Sequence, residues 1–184
     1  MAIQINTFGG IGGSEPNSGY VTDWWLLDVR DVLHITRPQV AGGRLVAGAV
    51  LLTDTAVATR LAFGTKAATA TLQPQRGPEG VAYGLGLAGS LPRPGPALLG
   101  WLAGALARRW LVIYRDRNGV LWLGGTRSAG LVLGMTHQTA ERNVLELTLT
   151  GTYLAPPTAL VETTMAGQFP DADFDGSFDL AFSS

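Results

Sequence analysis

The chain has 184 residues, the size of one domain, and its 13 basic and 14 acidic residues give a net charge of −1. This balance gives no electrostatic reason to expect a specific nucleic-acid partner or an anionic membrane surface. The absence of cysteine excludes disulfides, thiolate zinc sites and a cysteine nucleophile. Because only 15% of the residues are charged, the surface is easily buried against another subunit, and we expect a homo-oligomer.

No segment has the pattern of a signal peptide or a membrane span. The first ten residues, MAIQINTFGG, lack a basic start and an apolar run. The longest apolar run, residues 97–107, is shorter than the about 20 residues that a membrane helix needs. We therefore expect neither export through a signal peptide nor membrane insertion.

The N-terminal segment combines a short alternating stretch with a glycine-rich loop. Residues 2–7 predict a first strand, and residues 8–19 read FGGIGGSEPNSG. A phosphate-binding loop needs a helix that opens on its last glycine, and Pro16, Asn17 and Gly19 resist a helix. The pattern therefore favours a loop or arm over a nucleotide site.

Residues 20–36 are dense in aromatic and β-branched side chains. They predict a strand at residues 24–27, buried on both faces, and a second strand at residues 32–36. Four polar residues of this segment would suit acid–base chemistry if they met, but nothing in their spacing brings them together: Asp23, Asp28, Asp31 and His34. With no nucleophile motif elsewhere, and with His137 far away in sequence, we expect no enzyme.

The next part of the chain alternates strands with turns. Strands are predicted at residues 44–53, 67–73 and 81–88, and residues 56–63 fit a short helix or a strand. Gly, Asp and Lys residues mark turns at 42–43, 54–55 and 64–66, and residues 74–80 predict a polar loop.

A helix is predicted at residues 96–109. Gly95 precedes Pro96, which is favoured at the first helical position, and leucines then recur at helical spacing. Gly100 and Gly104 weaken a helix, so we expect them to let it lie close on a sheet or on a neighbouring subunit. An ordinary helix packed on its own sheet is the alternative.

Asn118-Gly119 is the clearest local signal, because these residues suit a two-residue type I′ turn between two strands. That turn would place Arg115 opposite Trp122 as a cation–aromatic pair. A strand is then expected at residues 128–134, a polar loop at 135–142 and a strongly alternating strand at 143–153. The element count predicts a mainly β fold, an antiparallel β-sandwich or barrel with one crossing helix, over residues 1–160.

Residues 161–184 predict a C-terminal arm rich in Asp and Phe. Asp171, Asp173 and Asp175 follow the D-x-D-x-D-G start of a calcium loop, but the twelfth position is Phe182 instead of glutamate. The alternative to a calcium site is an arm whose Phe174 and Phe178 dock on an adjacent subunit. No other cofactor is expected.

Part of the chain resembles virion structural proteins from the tail gene clusters of phages and prophages of Bacteroidota-type bacteria. The resemblance lies in three stretches, at residues 108–125, 141–143 and 147–157. It rests on turn-forming and aromatic positions of one hairpin and on three later positions: Arg115, Asp116, Asn118, Gly119, Trp122 and Gly124, then Arg142, Asn143 and Gly151.

The resemblance implies a tail-tube-like fold and a subunit that assembles with itself, in hexameric rings by fold-level analogy. It also implies other tail proteins as partners and a place in the virion tail, after synthesis in the bacterial cytoplasm. The alternative is a tail-tip module that binds carbohydrate or a receptor, with exposed Trp24, Trp25 or Trp101 as stacking surfaces.

Overall fold

The computed structural model describes residues 19–36, 39–41, 44–47, 50–78, 80–139, 143–154 and 156–160. The predicted strand at 2–7, nearly all of the glycine-rich loop, the aspartates of the calcium pattern, and Phe174 and Phe178 lie outside these residues. Within them are one 3₁₀ turn (Val29–Asp31), one α-helix and thirteen strands. The elements are β1 (Val21–Asp28), β2 (Val32–Ile35), β3 (Gln39–Ala41), β4 (Arg44–Ala47), β5 (Val50–Leu52), β6 (Ala58–Ala62), β7 (Ala68–Gly77), β8 (Gly80–Pro92), α1 (Pro96–Ala105), β9 (Arg109–Asp116), β10 (Leu121–Gly124), β11 (Leu131–Gln138), β12 (Val144–Tyr153) and β13 (Thr158–Leu160).

The predicted fold class is confirmed: the chain is mainly β, with one large, almost wholly antiparallel sheet and one helix in the described residues. β1 pairs with β6 on one edge and with β9 on the other. Because β1 occupies one edge of β9, β10 and the start of β11 share the opposite edge, end to end. The sheet therefore divides at β9, and the strands described do not close into a barrel.

Each branch of the sheet continues through its own strands. β10 leads to β13, β4 and β3, with β13 and β4 parallel. β11 leads to β12, β8 and β7, all antiparallel. β7 is thus the last strand of its branch, joined to β8 in a long hairpin.

β1 is buried on both faces, as the sequence predicts. Trp24 and Leu26 lie in one core with 0% exposure each, and Trp25 and Leu27 lie in a second core on the opposite face. The first core also takes Leu145, Leu147 and Leu149 of β12, which alternate with exposed residues as predicted. A ribbon of β2 and β5 covers the second core through Val32 and Val50.

The helix ends at Ala105, four residues before the predicted end. Its buried face, formed by Leu98, Leu102 and Ala105, contacts the first core. Trp110 is only 3% exposed, and its indole Nε1 donates to the Ala105 carbonyl at 3.0 Å. The Arg108 amide donates to the same carbonyl at 3.1 Å, so the Ala105 carbonyl accepts two bonds in the turn between α1 and β9.

Three other predicted boundaries are wrong. The single strand expected at 44–53 is two strands, because β4 belongs to the large sheet and β5 to the ribbon over the second core. The expected loop at 74–80 belongs mostly to the β7–β8 hairpin, where Pro74 is tolerated because β7 is an edge strand. The first half of the expected loop at 135–142 extends β11, where His137 pairs with Leu145. The ambiguous stretch at 56–63 forms strand β6.

The Asn118-Gly119 hairpin exists, but its predicted register is wrong by one residue. Leu121 pairs with Arg115 and Trp122 pairs with Tyr114, so the loop has three residues. The Gly119 amide donates to the Asp116 carbonyl at 3.0 Å, and only Gly119 in this loop has positive φ, at 81°. This is a type I turn followed by a left-handed glycine, one of the next most common hairpin loops after the two-residue turns.

The side chain of Asp116 explains this choice of turn. It accepts from the Val120 amide at 2.9 Å and from the Trp122 Nε1 at 3.0 Å. Two bonds to one carboxylate hold the three-residue loop and the Trp122 ring together. The Arg115 guanidinium therefore does not pair with Trp122. The guanidinium carbon of Arg115 instead lies 5.0 Å from the centroid of the Trp25 ring.

Substitution of three glycines by alanine separates helix propensity from turn geometry. Gly100→Ala and Gly104→Ala each raise the free energy of unfolding by about 0.5–1 kcal/mol, because a Cβ there meets no atom within 4 Å and alanine favours the helix. Gly119→Ala lowers it by about 1–2 kcal/mol, because its φ is positive. Urea unfolding at a concentration where the chain is monomeric measures all three. Equal changes in the free energy of unfolding at the three positions would contradict the placing of Gly100 and Gly104 on an exposed helix face and of Gly119 in a left-handed turn.

Candidate functional site

The outer part of the β7–β8 hairpin extends away from the core. Nine consecutive β7 residues, from Thr69 to Gly77, are exposed, although a strand on the body of a sheet alternates buried and exposed positions. On β8, burial begins only at Leu85. We call residues 69–84 the distal hairpin. Its β7 strand is exposed on both faces, whereas Tyr83 on β8 still packs against the first core, so the β7 side is the surface on which another molecule has room to bind.

One face of the distal hairpin is apolar. Register pairs Ala70 with Leu87, Leu72 with Leu85, and Pro74 with Tyr83, and these positions continue the inner face of the sheet. Beyond the core this face is uncovered, with Leu72 44% exposed and, next to the tip, Val81 41% exposed. Register places Arg76 opposite Val81, so Leu72 and Val81 lie four residues apart along this face, with Pro74 between them and one charge near the turn. The exposed leucine and valine favour contact with another apolar surface.

The free edge of β7 adds a second feature. β7 has a paired strand on one side only, so every second backbone amide and carbonyl on the other side has no strand partner in the described residues. Natural edge strands are usually protected by charges, but residues 67–75, AATATLQPQ, contain none. Pro74 is the only protective residue in this stretch. The edge is therefore open to a further strand.

The opposite, outer face of the same sheet carries a polar groove of about 820 Å³. Its floor is the glycine pair Gly84 and Gly86 on β8, and threonines of β7 and β12 form its sides. One row across five strands places neighbouring positions in the order Thr71, Gly86, Thr150, Val132 and Arg109. We call this feature the threonine groove.

A second cavity, of about 660 Å³, lies between β2, the loop after β10 and the segment that precedes β13. Its lining is mainly apolar, with Ile35, Leu123 and Pro157, and His34 lies at its side. Arg127 closes one side by donating to the Leu33 carbonyl at 3.0 Å. Among the described residues, no three His, Asp or Glu side chains gather as metal ligands here or elsewhere.

The aspartates that sequence reasoning considered for a site are held apart by β1. Asp23, 5% exposed, contacts Arg60 at 2.8 Å and Arg115 at 3.8 Å near the start of β1. Asp28, 3% exposed, contacts Arg30 at 2.6 Å and Arg108 at 3.4 Å at the other end. Both carboxylates are therefore structural.

The other polar residues that the sequence offered for a site, Asp31, His34 and His137, join neither Asp23 nor Asp28. Asp31 lies in the 3₁₀ turn that follows β1. His34 is on the ribbon, whereas His137, on β11, bonds through Nε2 to the Asn143 Oδ1 at 2.8 Å.

Arginine sets the charge state of Asp28. Side-chain hydrogen bonds from Arg30 hold the pKa of the Asp28 carboxyl below its usual value, against the opposing effect of burial. Burial raises the pKa of the hydroxyls of Tyr114 and Tyr153 well above the usual value for tyrosine. Both hydroxyls are therefore neutral at pH 7.

Two of the three tryptophans proposed as stacking surfaces are buried. Trp24 lies against Phe63, with ring centroids 4.5 Å apart and no exposure. Trp25 is 5% exposed and lies between the guanidinium groups of Arg60 and Arg115. Trp101 is partly buried against Trp110 at 5.7 Å. The expectation of exposed stacking surfaces at Trp24 and Trp25 is therefore wrong.

The glycines expected to bring α1 close to a sheet do not do so. Gly100 and Gly104 lie on the exposed face of the helix, and a Cβ at either would meet no atom within 4 Å. Their role at a neighbouring subunit stays a prediction. Gly124 is one of the tight positions in the sheet, since a Cβ there would lie 2.5 Å from the Leu85 Cδ2 and 3.1 Å from the Val112 Cγ1.

Sequence reasoning missed the distal hairpin and the threonine groove. The signal was present in part, because residues 68–73 alternate Ala or Leu with Thr or Gln, and residues 83–88 alternate Leu or Tyr with Gly or Ala. Because of Pro74 and the charged residues near the turn, the outer half of the β7–β8 hairpin was predicted to be a loop. No helix among the residues described is long and apolar enough to cross a membrane.

Replacing Asp28 tests its structural role through pH. Because its pKa is lower in the folded chain, the carboxylate stabilises the fold above the unfolded pKa, and this contribution disappears as pH falls through the folded pKa. Asp28→Asn lowers the free energy of unfolding by about 1–3 kcal/mol at pH 7. The difference in the free energy of unfolding between Asp28→Asn and the parent becomes smaller below about pH 4.

Denaturant unfolding from pH 7 to pH 2.5 measures this effect. Asp54→Asn, at an exposed turn position, is the matched control and leaves the pH profile unchanged. A difference between Asp28→Asn and the parent that stays constant over the whole pH range would contradict the assignment.

Comparison with known proteins adds no relative. No family model matches the chain. No curated protein and no solved structure matches it either. The resemblance to phage tail-cluster proteins therefore stays a prediction.

Proposed function

We propose that this chain is a structural subunit of a phage or phage-like tail that assembles with copies of itself through the distal hairpin, as a tail-tube or tube-end protein. The observation that carries self-assembly is the uncovered apolar face of that hairpin, at Leu72 and Val81. The tail assignment rests on the resemblance of the hairpin that contains Asn118 and Gly119.

Energetics favour contact between copies at this surface. Full burial of a leucine or valine side chain is worth about 1.5–3 kcal/mol, so covering two side chains that are each about two-fifths exposed gains roughly 1 kcal/mol apiece. The β7 edge adds backbone hydrogen bonds if a strand pairs with it. No charge between residues 67 and 75 opposes the approach of an identical copy.

The rival function, a tail-tip module that stacks sugars on tryptophan, has less support. Trp24 and Trp25 are inaccessible, and Trp101 is occupied by its contact with Trp110. A subunit that self-assembles also suits the low content of charged residues, 15%. Tail proteins and further copies of the chain are accordingly the proposed partners, in the virion tail.

Charge at the apolar face of the distal hairpin is expected to prevent assembly. Leu72→Asp and Val81→Asp each place a carboxylate where the contact would be dry, and each shifts the chain from rings, tubes or smaller oligomers to monomers. Multi-angle light scattering after size exclusion gives the mass, and negative-stain images give the shape of the particles.

Val57→Asp is the matched control, because Val57 is 70% exposed but lies outside the hairpin. It keeps the oligomeric state of the parent. A parent that remains monomeric at high concentration would contradict self-assembly. Oligomers that persist in both Leu72→Asp and Val81→Asp would show that the hairpin does not form the contact between subunits.

A further inference from the structure

The cavity beside β2 is an apolar recess that the described residues leave uncovered. Its volume is about 660 Å³, and we call it the β2 cavity. Leu33, on its wall, is 52% exposed. Its other apolar wall residues come from the ribbon, from β10 and from the segment before β13: Ile35, Leu123, Pro156 and Pro157. Apolar surface gathered in one recess favours an apolar side chain as its occupant.

Arg127 gives one side of the β2 cavity a positive charge. Its Nη1 donates to the Leu33 carbonyl at 3.0 Å, and this bond holds the side chain at the cavity. Arg127 forms no ion pair with any described residue, whereas the arginines around β1 contact Asp23 or Asp28. The described residues that line the cavity include no aspartate or glutamate. A guanidinium held in place, with further N–H donors available, favours a carboxylate beside the apolar recess.

The hydroxyl of Tyr153 lacks an acceptor at the same cavity. Tyr153 lines the cavity and is only 6% exposed, and its hydroxyl has no hydrogen-bond partner in the part of the chain that the structure describes. The amide of Gly125 approaches this oxygen, but an amide only donates, so the hydroxyl proton is left without an acceptor. Buried hydroxyls are normally paired, and a backbone carbonyl is the commonest kind of acceptor. An apolar ring, a carboxylate and a backbone carbonyl together describe an acidic, aromatic peptide.

The chain leaves the sheet beside this cavity. Thr158, the first residue of β13, lines the cavity, and β13 ends at Leu160. Residues 161–184 follow, outside the described residues. A short tether gives a binding segment an effective concentration of roughly millimolar, which exceeds the concentration of other copies in a dilute sample. The C-terminal segment of the same chain is therefore the peptide best placed to reach the cavity.

Phe174 is the aromatic residue of this segment that best matches the cavity. Asp173 and Asp175 flank it, whereas the other phenylalanines after residue 160 have at most one neighbouring aspartate. With a carboxylate on each side of the ring, one of them lies on the Arg127 side whichever way the segment crosses the cavity. The sequence around Phe174 thus carries all the groups that the cavity lacks.

We propose that the β2 cavity holds the Phe174 ring of the chain's own C-terminal segment, with a neighbouring aspartate paired to Arg127 and a backbone carbonyl accepting from Tyr153. An apolar small molecule would leave both Arg127 and Tyr153 without partners. The proposal is independent of self-assembly through the distal hairpin, because the cavity lining and residues 69–84 have no residue in common.

Disulfide trapping tests this docking, because the chain has no cysteine of its own. In the full-length chain, Ser128→Cys places a thiol at an exposed position of the cavity lining, and Gly176→Cys places another two residues after Phe174. In dilute solution with oxidised glutathione, this pair closes an intramolecular disulfide roughly tenfold faster than Val57→Cys with Gly176→Cys. Val57 is 70% exposed and lies outside the cavity lining. Non-reducing gels and peptide mass spectrometry measure the two rates.

Further substitutions in the Ser128→Cys, Gly176→Cys chain assign the contact. Phe174→Ser lowers the rate of closure to that of the control pair, because the ring no longer holds the segment in the cavity. Arg127→Gln lowers it about threefold through loss of the ion pair. Phe178→Ser is the matched control and keeps the rate of the unsubstituted pair, since Phe178 has an aspartate on one side only. Circular dichroism confirms that each variant is folded.

Three results overturn the proposal. Equal rates for the Ser128→Cys and Val57→Cys pairs show that the segment does not occupy the cavity. Disulfide-linked dimers as the main product show that the occupant comes from a neighbouring copy. Equal slowing by Phe174→Ser and Phe178→Ser shows that the cavity does not select Phe174. Intramolecular closure in a chain that stays monomeric contradicts self-assembly and leaves this docking intact, so the two proposals fail separately.

Discussion

Burial of β1 on both faces is the constraint on which the rest of the structure depends. Successive side chains of a strand point to opposite sides, so Trp24 and Trp25 require two separate apolar environments. The first core supplies one, with leucines of β8, β11 and β12, and the β2–β5 ribbon supplies the other. The fold therefore has layers on both sides of the β1–β9 pair, and a second sheet is needed to complete it.

Charge fixes the position of β1 between these layers. Asp23 and Asp28 lie near its two ends, both almost fully buried, and each is held by two arginines from other parts of the chain or from the adjacent turn. A buried carboxylate without its cation is costly, so a shift of β1 by one residue along its axis would break both sets of contacts. These ion pairs give Asp23 and Asp28, which the sequence offered as acid–base candidates, a structural role.

Periodicity predicted the parts of the fold that bury side chains regularly. The Trp24–Trp25 pair indicated a doubly buried strand, and alternation in residues 144–150 indicated the inner face of β12. Prediction failed where one tertiary contact decides a boundary. The Asp116 carboxylate holds a three-residue turn, and the Trp110 indole bonds the carbonyl of Ala105, the last helical residue. Neither bond has a periodic signature.

The candidate surfaces were harder to predict because they lie where burial is absent. The outer half of β7 is exposed on both faces, so alternation there carries no burial signal and Pro74 suggests a loop. A Cβ at Gly86 would meet no atom within 4 Å, so packing places no constraint on that position either. Only the pairing of β7, β8, β12, β11 and β9 shows that distant threonines and Arg109 share one row.

The attachment of the hairpin also has a mechanical consequence. β8 is joined to β12 by ten consecutive register pairs, from Tyr83–Tyr153 to Pro92–Val144. A force that pulls the hairpin along the direction of its strands would load this ladder in shear, so that many hydrogen bonds resist at once instead of opening one after another. A pull perpendicular to the strands would peel β7 away first. The hairpin therefore resists a force along its strands more strongly than a force across them.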